Sequence, residues 1–335
     1  MKVFVVGAGV MGSGIGQVFA MAGNQVTLYD VREDALRKAR EGIAWSLNKL
    51  REKGVVKDPE ETLGRISFSN SLECGGSDLV IEAVFEDLKV KGEVLREVSA
   101  ETKGVIATNT SSLPITELST FVKRPERFLG MHFFNPPVLM KLVEVIRGEK
   151  TSDETFQFGL RVVSSLGKYP LPVRKDVFGF VVNRVLFRLF TAGCSLLALY
   201  TPEQIDYVAM NRLGMPMGLI MLLDYTGLDV NYNIAKEASR RGFEFQCPPL
   251  EERVKQGKLG AKSGEGFYNW SRGRPDIRAE GGPDPSILLE PAVKEALWLV
   301  REGVVEEEEL ERGVELGLGM KKGIFKLARE LGVLS

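Results

Sequence analysis

Gly7-Ala8-Gly9-Val10-Met11-Gly12 constrains this chain more than any other stretch, because of what flanks it. Before it, Lys2-Val3-Phe4-Val5-Val6 is a short β-rich run. After it, Ile15 to Ala22 suits a helix that closes at Gly23-Asn24. Gln25-Val26-Thr27-Leu28-Tyr29 is then a second strand, and Asp30 ends it. Strand, glycine turn, helix, strand and acid in that order are the setting in which such a motif holds a dinucleotide. Gly7 permits the tight turn, Gly9 lets backbone approach a pyrophosphate, and Gly12 allows close helix–strand packing. The helix N-terminus then faces the phosphates. Asp30 accepts hydrogen bonds from ribose hydroxyls and repels a 2′-phosphate, so NAD is favoured over NADP, with Arg32 nearby as a reservation. The plainer alternative is a glycine-rich turn with no ligand.

The first half continues the alternation. From about Asp34 to Lys53, Leu36, Ala39, Ile43, Leu47 and Leu50 recur at steps of three and four and make one apolar stripe. Ser46, Lys49 and Lys53 lie off it, on what is ordinarily a solvated face. A second short helix is predicted between Val56 and Arg65. Asp78 to Val84 reads as a third core strand, ending at Phe85-Glu86-Asp87, with a helix from Leu88 to Ala100. Val105 to Thr108 is a fourth strand, ending in Asn109-Thr110-Ser111-Ser112. Small polar residues at such a strand end sit where open α/β sheets bind ligands. They also serve simply to cap a helix, here one starting near Pro114.

His132, the only histidine among 335 residues, ends the strand Phe128 to Phe134. Asn135-Pro136-Pro137 turns the chain, since proline fixes φ and cannot continue a ladder. The chain returns through Lys141-Leu142-Val143-Glu144-Val145-Ile146, in which a carboxylate stands between two valines. A buried charge needs a partner. The return could bring imidazole and carboxylate together, fixing one ring tautomer and leaving the other nitrogen as a base. A packed histidine beside an unrelated edge-strand glutamate is the competing reading. A helix from about Glu154 to Leu166 and an edge strand from Tyr169 to Val173 complete this half.

After Asp176 the texture changes. Val177 to Tyr200 is apolar over most of a helical circumference, which predicts burial against other helices or a partner. Helices follow from Pro202 and from Leu219, and Leu259 to Tyr268 is a glycine-rich closing loop. The segment 271–284 reads as a linker. The tail echoes the earlier part: Ile205-Asp206, Leu213-Gly214-Met215 and Gly218 match Leu310-Glu311, Leu318-Gly319-Met320 and Gly323 at a constant offset of 105 residues. A partial duplication of the helical domain follows.

Net charge of −1 offers no basic field for nucleic acid. No apolar run approaches the roughly 20 residues that span a bilayer. Cys74, Cys194 and Cys247 form no CxxC and, with one histidine, exclude a structural zinc site. An odd, sparse cysteine count fits a reducing compartment, hence the cytoplasm. The predicted fold class is α/β: a Rossmann-type doubly wound sheet over 1–175 with an inserted helical arm at about 34–65, then an all-α C-terminal domain. That second part divides into a helical domain over 176–270, the linker, and a partial repeat over 285–335.

With these residues in view, the chain from Met1 to about Trp270 resembles the NAD-dependent L-3-hydroxyacyl-CoA dehydrogenases of fatty-acid β-oxidation. The resemblance rests on GxGxMG with Asp30, Asn-Thr-Ser-Ser at 109–112, His-Phe-Phe-Asn-Pro-Pro at 132–137, Lys-Leu-Val-Glu-Val-Ile at 141–146, Gly-Phe-Val-Val-Asn-Arg at 179–184 and Lys-Ser-Gly-Glu-Gly-Phe-Tyr at 262–268. It implies that His132 is the general base and Glu144 the carboxylate that orients it. It implies that Ser111 and Asn183 hydrogen-bond the reacting oxygen, Asn183 coming from the helical domain. Met11 joins Gly7, Gly9, Gly12 and Asp30 at the cofactor, and Glu86, Lys91 and Asn109 match positions around the nicotinamide ribose and the cleft. Ser46 and Lys53 match positions near the CoA adenine and phosphate, and Asn135 lies in the substrate motif.

The resemblance also implies a 3-hydroxyacyl-CoA substrate. Compact members end near Tyr268 and dimerise through the helical domain. The extra half-repeat is expected to pack on that domain and to weaken or replace a homodimer with a pseudo-dimer. Large β-oxidation fusions carry a similar second copy, so the chain is also compatible with one part of a fusion with an enoyl-CoA hydratase domain. Two rivals stand beside this reading: a dehydrogenase of a small non-CoA hydroxy acid, as in a gulonate dehydrogenase-like branch, and a nucleotide-binding protein without catalysis.

Overall fold

The computed structural model describes all residues from Met1 to Ser335, and they form two compact units, Met1–Val177 and Phe178–Ser335. The first unit runs β1 (Lys2–Val6), α1 (Val10–Met21), β2 (Gln25–Tyr29), α2 (Glu33–Glu52), α3 (Pro59–Gly64), β3 (Ile66–Ser69), β4 (Leu79–Glu82), α4 (Leu88–Glu101), β5 (Val105–Thr108), α5 (Ile115–Leu118), β6 (Phe128–Phe133), β7 (Leu142–Ile146), α6 (Asp153–Ser165) and β8 (Tyr169–Val173). Its eight strands form one sheet in the order β3-β2-β1-β4-β5-β6-β7-β8. β1 to β6 are mutually parallel, and β7 runs antiparallel to β6. The order reverses between β1 and β4, and at such a switch point an open α/β sheet leaves a crevice beyond its carboxyl ends. β1, β4, β5, β6 and β7 are almost wholly buried, as near-continuous apolar strands covered on both faces should be.

Local signals set the ends of several helices. Asp87 caps α4 by accepting from Val90 N, and Ser152 caps α6 by accepting from Thr155 N. α2 buries Leu36, Ala39, Ile43, Leu47 and Leu50, the stripe the periodicity predicts. β3 was not anticipated. Ile66-Ser67-Phe68-Ser69 is short and half polar, and it becomes a strand only because β2 offers a parallel edge.

The second unit contains α7 (Val182–Leu196), α8 (Pro202–Asn211), α9 (Leu219–Thr226), α10 (Leu228–Arg240), α11 (Pro248–Lys255), α12 (Pro285–Arg301), α13 (Glu307–Leu318) and α14 (Ile324–Glu330). The helix expected from Val177 begins only at Val182, because Gly179 and Phe180 take positive φ of 75° and 53°. α10 and α11 lie where the sequence pattern singled out nothing. Two buried carboxylates organise this unit. Asp206 accepts from Ile220 N, Met221 N and the Tyr268 hydroxyl, which pins the start of α9. Asp224 accepts from Phe267 N, Tyr268 N and Trp270 Nε1, which shapes the glycine-rich closing loop. Burial raises Asp206 to about 6.

The same device recurs in the tail. Glu311 accepts from Phe325 N and Lys326 N, each 105 residues beyond its counterpart. Thr201 and Glu306, also 105 apart, both open helices with capping boxes. α12 lies against α7, and Glu295 accepts from Arg184 Nε and from Arg188 Nε. The guanidinium of Arg184 stacks between the rings of Phe243 and Trp298 at 4.6 and 4.4 Å. Residues 271–284 carry no helix or strand, but Arg274 donates to Pro216 O at 3.0 Å, so this segment is tied to the helices. No helix is long and apolar enough to cross a membrane.

Cys194 in α7 is bonded to Cys247, ahead of α11, across 53 residues, and Cys74 is the free, buried cysteine. This departs from the reducing-compartment expectation, which assumes unpaired thiols. A spacing of 53 residues carries no sign of pairing until the fold brings α7 and the 243–247 segment together. Thiol titration of the unreduced, denatured chain is expected to find Cys74 alone. Reduction is expected to lower stability by about 3–4 kcal/mol in a denaturant titration, from the larger loop entropy of the opened chain.

Candidate active site

The glycine turn does what its spacing predicts. Gly7 has φ +106°, and its N–H donates to Tyr29 O at 2.8 Å, tying the turn to the end of β2. A methyl on Gly7 would press on the Ala83 carbonyl, and one on Gly12 would overlap the carbonyl oxygen of Gly7. Around Gly9, by contrast, nothing lies within 4 Å of where a Cβ would stand. That open face at the head of α1 leaves room for a pyrophosphate against the backbone. Gly12→Ala is therefore expected to abolish NAD binding by displacing the turn itself. Gly9→Ala is expected to weaken it without unfolding the chain, and titration calorimetry with a thermal melt separates the two.

Asp30 stands at the end of β2 with both carboxylate oxygens engaged. Oδ2 accepts from Ala8 N and Oδ1 from Arg32 N, each at 2.9 Å. The Arg32 side chain turns away and forks onto Asp34 at 3.2 and 2.9 Å, which removes the reservation that a nearby arginine raised about NAD. A groove of about 500 Å³ runs from Asp30 between α1 and α2, lined by Gly9, Ser13, Gln17, Lys38 and Gly42. Ser46, farther along α2, accepts from Gln17 Nε2 at 2.9 Å, and Lys53 is exposed two turns beyond it. Met11 is half-buried in the first turn of α1, packed on the core.

Across the switch point lies a buried cluster that pairs Lys91 with Glu82, a residue outside the motifs. Glu82, at the end of β4, is fully buried, and so is Lys91 in α4. Lys91 Nζ donates to Glu82 Oε2 at 2.7 Å and to Val84 O at 3.0 Å. Glu82 also accepts from Val84 N at 2.8 Å and from the Thr108 hydroxyl at 2.6 Å. Lys91 thus meets protein acceptors at the strand ends, and its ammonium holds the segment that leads to Glu86. The signal was present: a carboxylate in the apolar run Leu79 to Val84, the same sign that singled out Glu144. Glu86, exposed, accepts from the Thr110 hydroxyl and from Ser111 N, which draws the 109–112 segment towards it. Asn109 accepts from Phe133 N at 2.9 Å and so links the ends of β5 and β6.

His132 and Glu144 are directly opposed in the antiparallel β6–β7 ladder. Nδ1 lies 2.7 Å from Glu144 Oε2. Glu144 is completely buried and His132 is 6 % exposed. An acceptor-only carboxylate at Nδ1 requires the proton there, so Nε2 is the nitrogen that can take one up. The Phe134 ring stands 4.5 Å from the imidazole, centroid to centroid. Asn135 is exposed at the start of the connecting loop. Of the predicted residues, the first unit therefore carries the glycine turn, Asp30, Glu86, Asn109, Ser111, His132 and Asn135 at or beyond the carboxyl ends of parallel strands, with Lys91 in α4 and Glu144 in the antiparallel β7 beside them. Ser46 lies on α2 and Lys53 just past its end, and Asn183 sits in the first turn of α7 in the second unit.

Comparison with known proteins identifies the family of the chain. The family model described as 3-hydroxyacyl-CoA dehydrogenase, NAD binding domain, matches residues 2–177. The one described as 3-hydroxyacyl-CoA dehydrogenase, C-terminal domain, matches 179–270 and 286–334. A probable 3-hydroxybutyryl-CoA dehydrogenase of Deinococcus radiodurans is 42% identical over 280 residues, which is 81% of this chain and all of that one. The fatty acid oxidation complex subunit alpha of a Psychrobacter species is 39% identical over 82% of this chain and 40% of its own length. The crystal structure of 3-hydroxybutyryl-CoA dehydrogenase from Escherichia coli K12 superposes with a TM-score of 0.91 at 27% identity, covering 99% of this chain and 91% of that one. The chain belongs to the 3-hydroxyacyl-CoA dehydrogenase family, with the NAD-binding domain first and the helical C-terminal domain after it.

Proposed function

We propose that this protein oxidises L-3-hydroxyacyl-CoA to 3-oxoacyl-CoA, reversibly, with His132 as the general base. The observation that carries the assignment of the base is the 2.7 Å contact between His132 Nδ1 and the buried Glu144 carboxylate. NAD, when bound, supplies the hydride acceptor, and the open face of Gly9 together with Asp30 fits it. His132 Nε2 takes the proton of the 3-hydroxyl as C3 gives up its hydride. Glu144 holds the ring in the accepting tautomer and stabilises the imidazolium that forms. Ser111, and Asn183 of the helical unit, are assigned hydrogen bonds to the same oxygen. Ser46 and Lys53 are assigned to the CoA moiety, and Met11, Glu86, Lys91, Asn109 and Asn135 to the cofactor and the mouth of the cleft.

The test follows NADH absorbance with NAD and either L-3-hydroxybutyryl-CoA or free 3-hydroxybutyrate. Turnover of the CoA ester alone supports the proposal. Turnover of the free acid alone moves the substrate to the small-acid class. Binding of NAD with no turnover of any 3-hydroxyacyl-CoA leaves a nucleotide-binding protein.

We further infer that 285–335 duplicates the start of the helical domain and occupies the place a second subunit takes in compact relatives. The support is the repeated carboxylate clasp at Asp206 and Glu311 and the seating of α12 on α7. Light scattering is expected to give a single-chain mass, and a dimer built on α7 refutes the inference. Cytoplasmic location and fusion to an enoyl-CoA hydratase remain parts of this proposal. The Psychrobacter subunit, of which the match spans 40%, supports a longer fusion without naming its other part, and the Cys194–Cys247 bond weighs against the first. Cell fractionation tests the first, and the length of the natural gene product the second.

A further inference from the structure

Lys168 closes the loop that joins the two strands of the His132–Glu144 pair. It follows Gly167 in the turn between α6 and β8. Its ammonium donates to the carbonyl oxygens of Pro137, at 2.7 Å, and of Met140, at 2.5 Å. Residues 136–140 form one tight turn, because Leu139 N and Met140 N both donate to Pro136 O at 3.0 Å. A lone helical turn ends in carbonyls that have no amide partner, and a cation placed there satisfies them. No carboxylate pairs with Lys168, and burial pushes it down to about 8. A desolvated ammonium is thus kept for two carbonyls of one loop. On the loop's other side, the Pro137 ring lies 3.0 Å from where a methyl on Gly14 would stand, so the turn rests on α1 just beyond the glycine motif. Tyr169 N donates to Lys141 O at 2.7 Å and fixes the entry to β7.

We propose that Lys168 is a positioning residue for the oxidation: by clamping the 136–140 turn against α1, it holds the β6–β7 register that sets His132 opposite Glu144. The inference rests on the assignment of His132 as the base. Its consequence is geometric. The loop joins the two strands covalently at the end of their ladder, next to the His132–Glu144 rung, and Lys168 ties it to β8 while α1 blocks it from the other side. A looser loop lets the dyad lengthen, and misplacement of a reacting group by an ångström lowers the rate steeply.

The test compares Lys168→Met and Lys168→Arg with the unmodified protein and with His132→Gln. Lys168→Met is expected to lower kcat about ten- to a hundredfold. The KM for NAD is expected to stay unchanged, and the primary isotope effect with 3-deuterated substrate to rise. Amide exchange across 136–142 quickens. Lys168→Arg, which keeps charge and donors, restores most of kcat. Unmodified kcat and isotope effect in Lys168→Met overturn the clamp, even if the melting temperature falls. Equal impairment in Lys168→Arg overturns it as well. If Lys168→Met does not fold, Lys168→Gln is read in the same way. Retained turnover in His132→Gln overturns the assignment of the base, whereas loss there beside an unimpaired Lys168→Met overturns the clamp alone.

Discussion

Glu144→Gln is expected to lower kcat by about 10³- to 10⁴-fold while NAD binding and melting temperature stay close to those of the unmodified protein. The carboxylate accepts at Nδ1 of His132 from 2.7 Å. Its amide isostere can turn its NH₂ towards Nδ1, which drives the ring proton to Nε2. The nitrogen that must accept a proton then already carries one. Even with the amide oxygen turned inward, the imidazolium loses its countercharge in a place with almost no solvent. His132→Gln removes the base outright, with an expected loss of about 10²- to 10⁴-fold. The double variant is expected to be no worse than the more damaged single one, because the two residues act as a unit. Steady-state rates with L-3-hydroxybutyryl-CoA, checked against NAD affinity by calorimetry, give the result. Full turnover in both single variants sinks the mechanism and leaves the fold untouched.

That dyad was legible in the sequence because two local rules converge on it. A proline turn forces an antiparallel return, and a strand places every second side chain on one face. With one histidine in the chain, an imidazole partner for Glu144 had a single candidate, although the residues alone left a packed histidine beside an unrelated glutamate equally open. The glycine turn was legible for a similar reason, since Gly7 and Gly12 are needed by backbone geometry within a few residues of themselves. What stayed hidden depends on contacts between distant segments. β3 exists because β2 pairs with it, and its own four residues carry a weak signal. Cys194 and Cys247 meet only once α7 and the 243–247 segment are folded together. Lys168 looks like any lysine at a helix end until the 136–140 loop is seen beneath its ammonium. The late start of α7 rests on the positive φ of Gly179 and Phe180, which apolar periodicity does not register. The tail lies between these cases. Its 105-residue echo is visible as letters, but the clasp of Glu311 onto Phe325 N and Lys326 N gives those letters a physical reason.

Lys91→Met is expected to destabilise the first unit by about 3–5 kcal/mol, the usual range when one partner of a buried ion pair is removed. Glu82 keeps hydrogen bonds from Val84 N and Thr108, but it has no solvent and no other countercharge among its contacts. The double variant Glu82→Leu with Lys91→Met removes both charges and replaces them with apolar volume, so it is expected to recover most of the loss. Urea titrations with unchanged slope measure both changes. The double variant also separates stability from the site. It lacks both the ammonium that donates to Val84 O and the carboxylate that accepts from Val84 N. NAD affinity is therefore expected to stay low after stability returns, because nothing then holds Val84 and the path to Glu86. Full recovery of affinity along with stability would show that the pair serves packing alone.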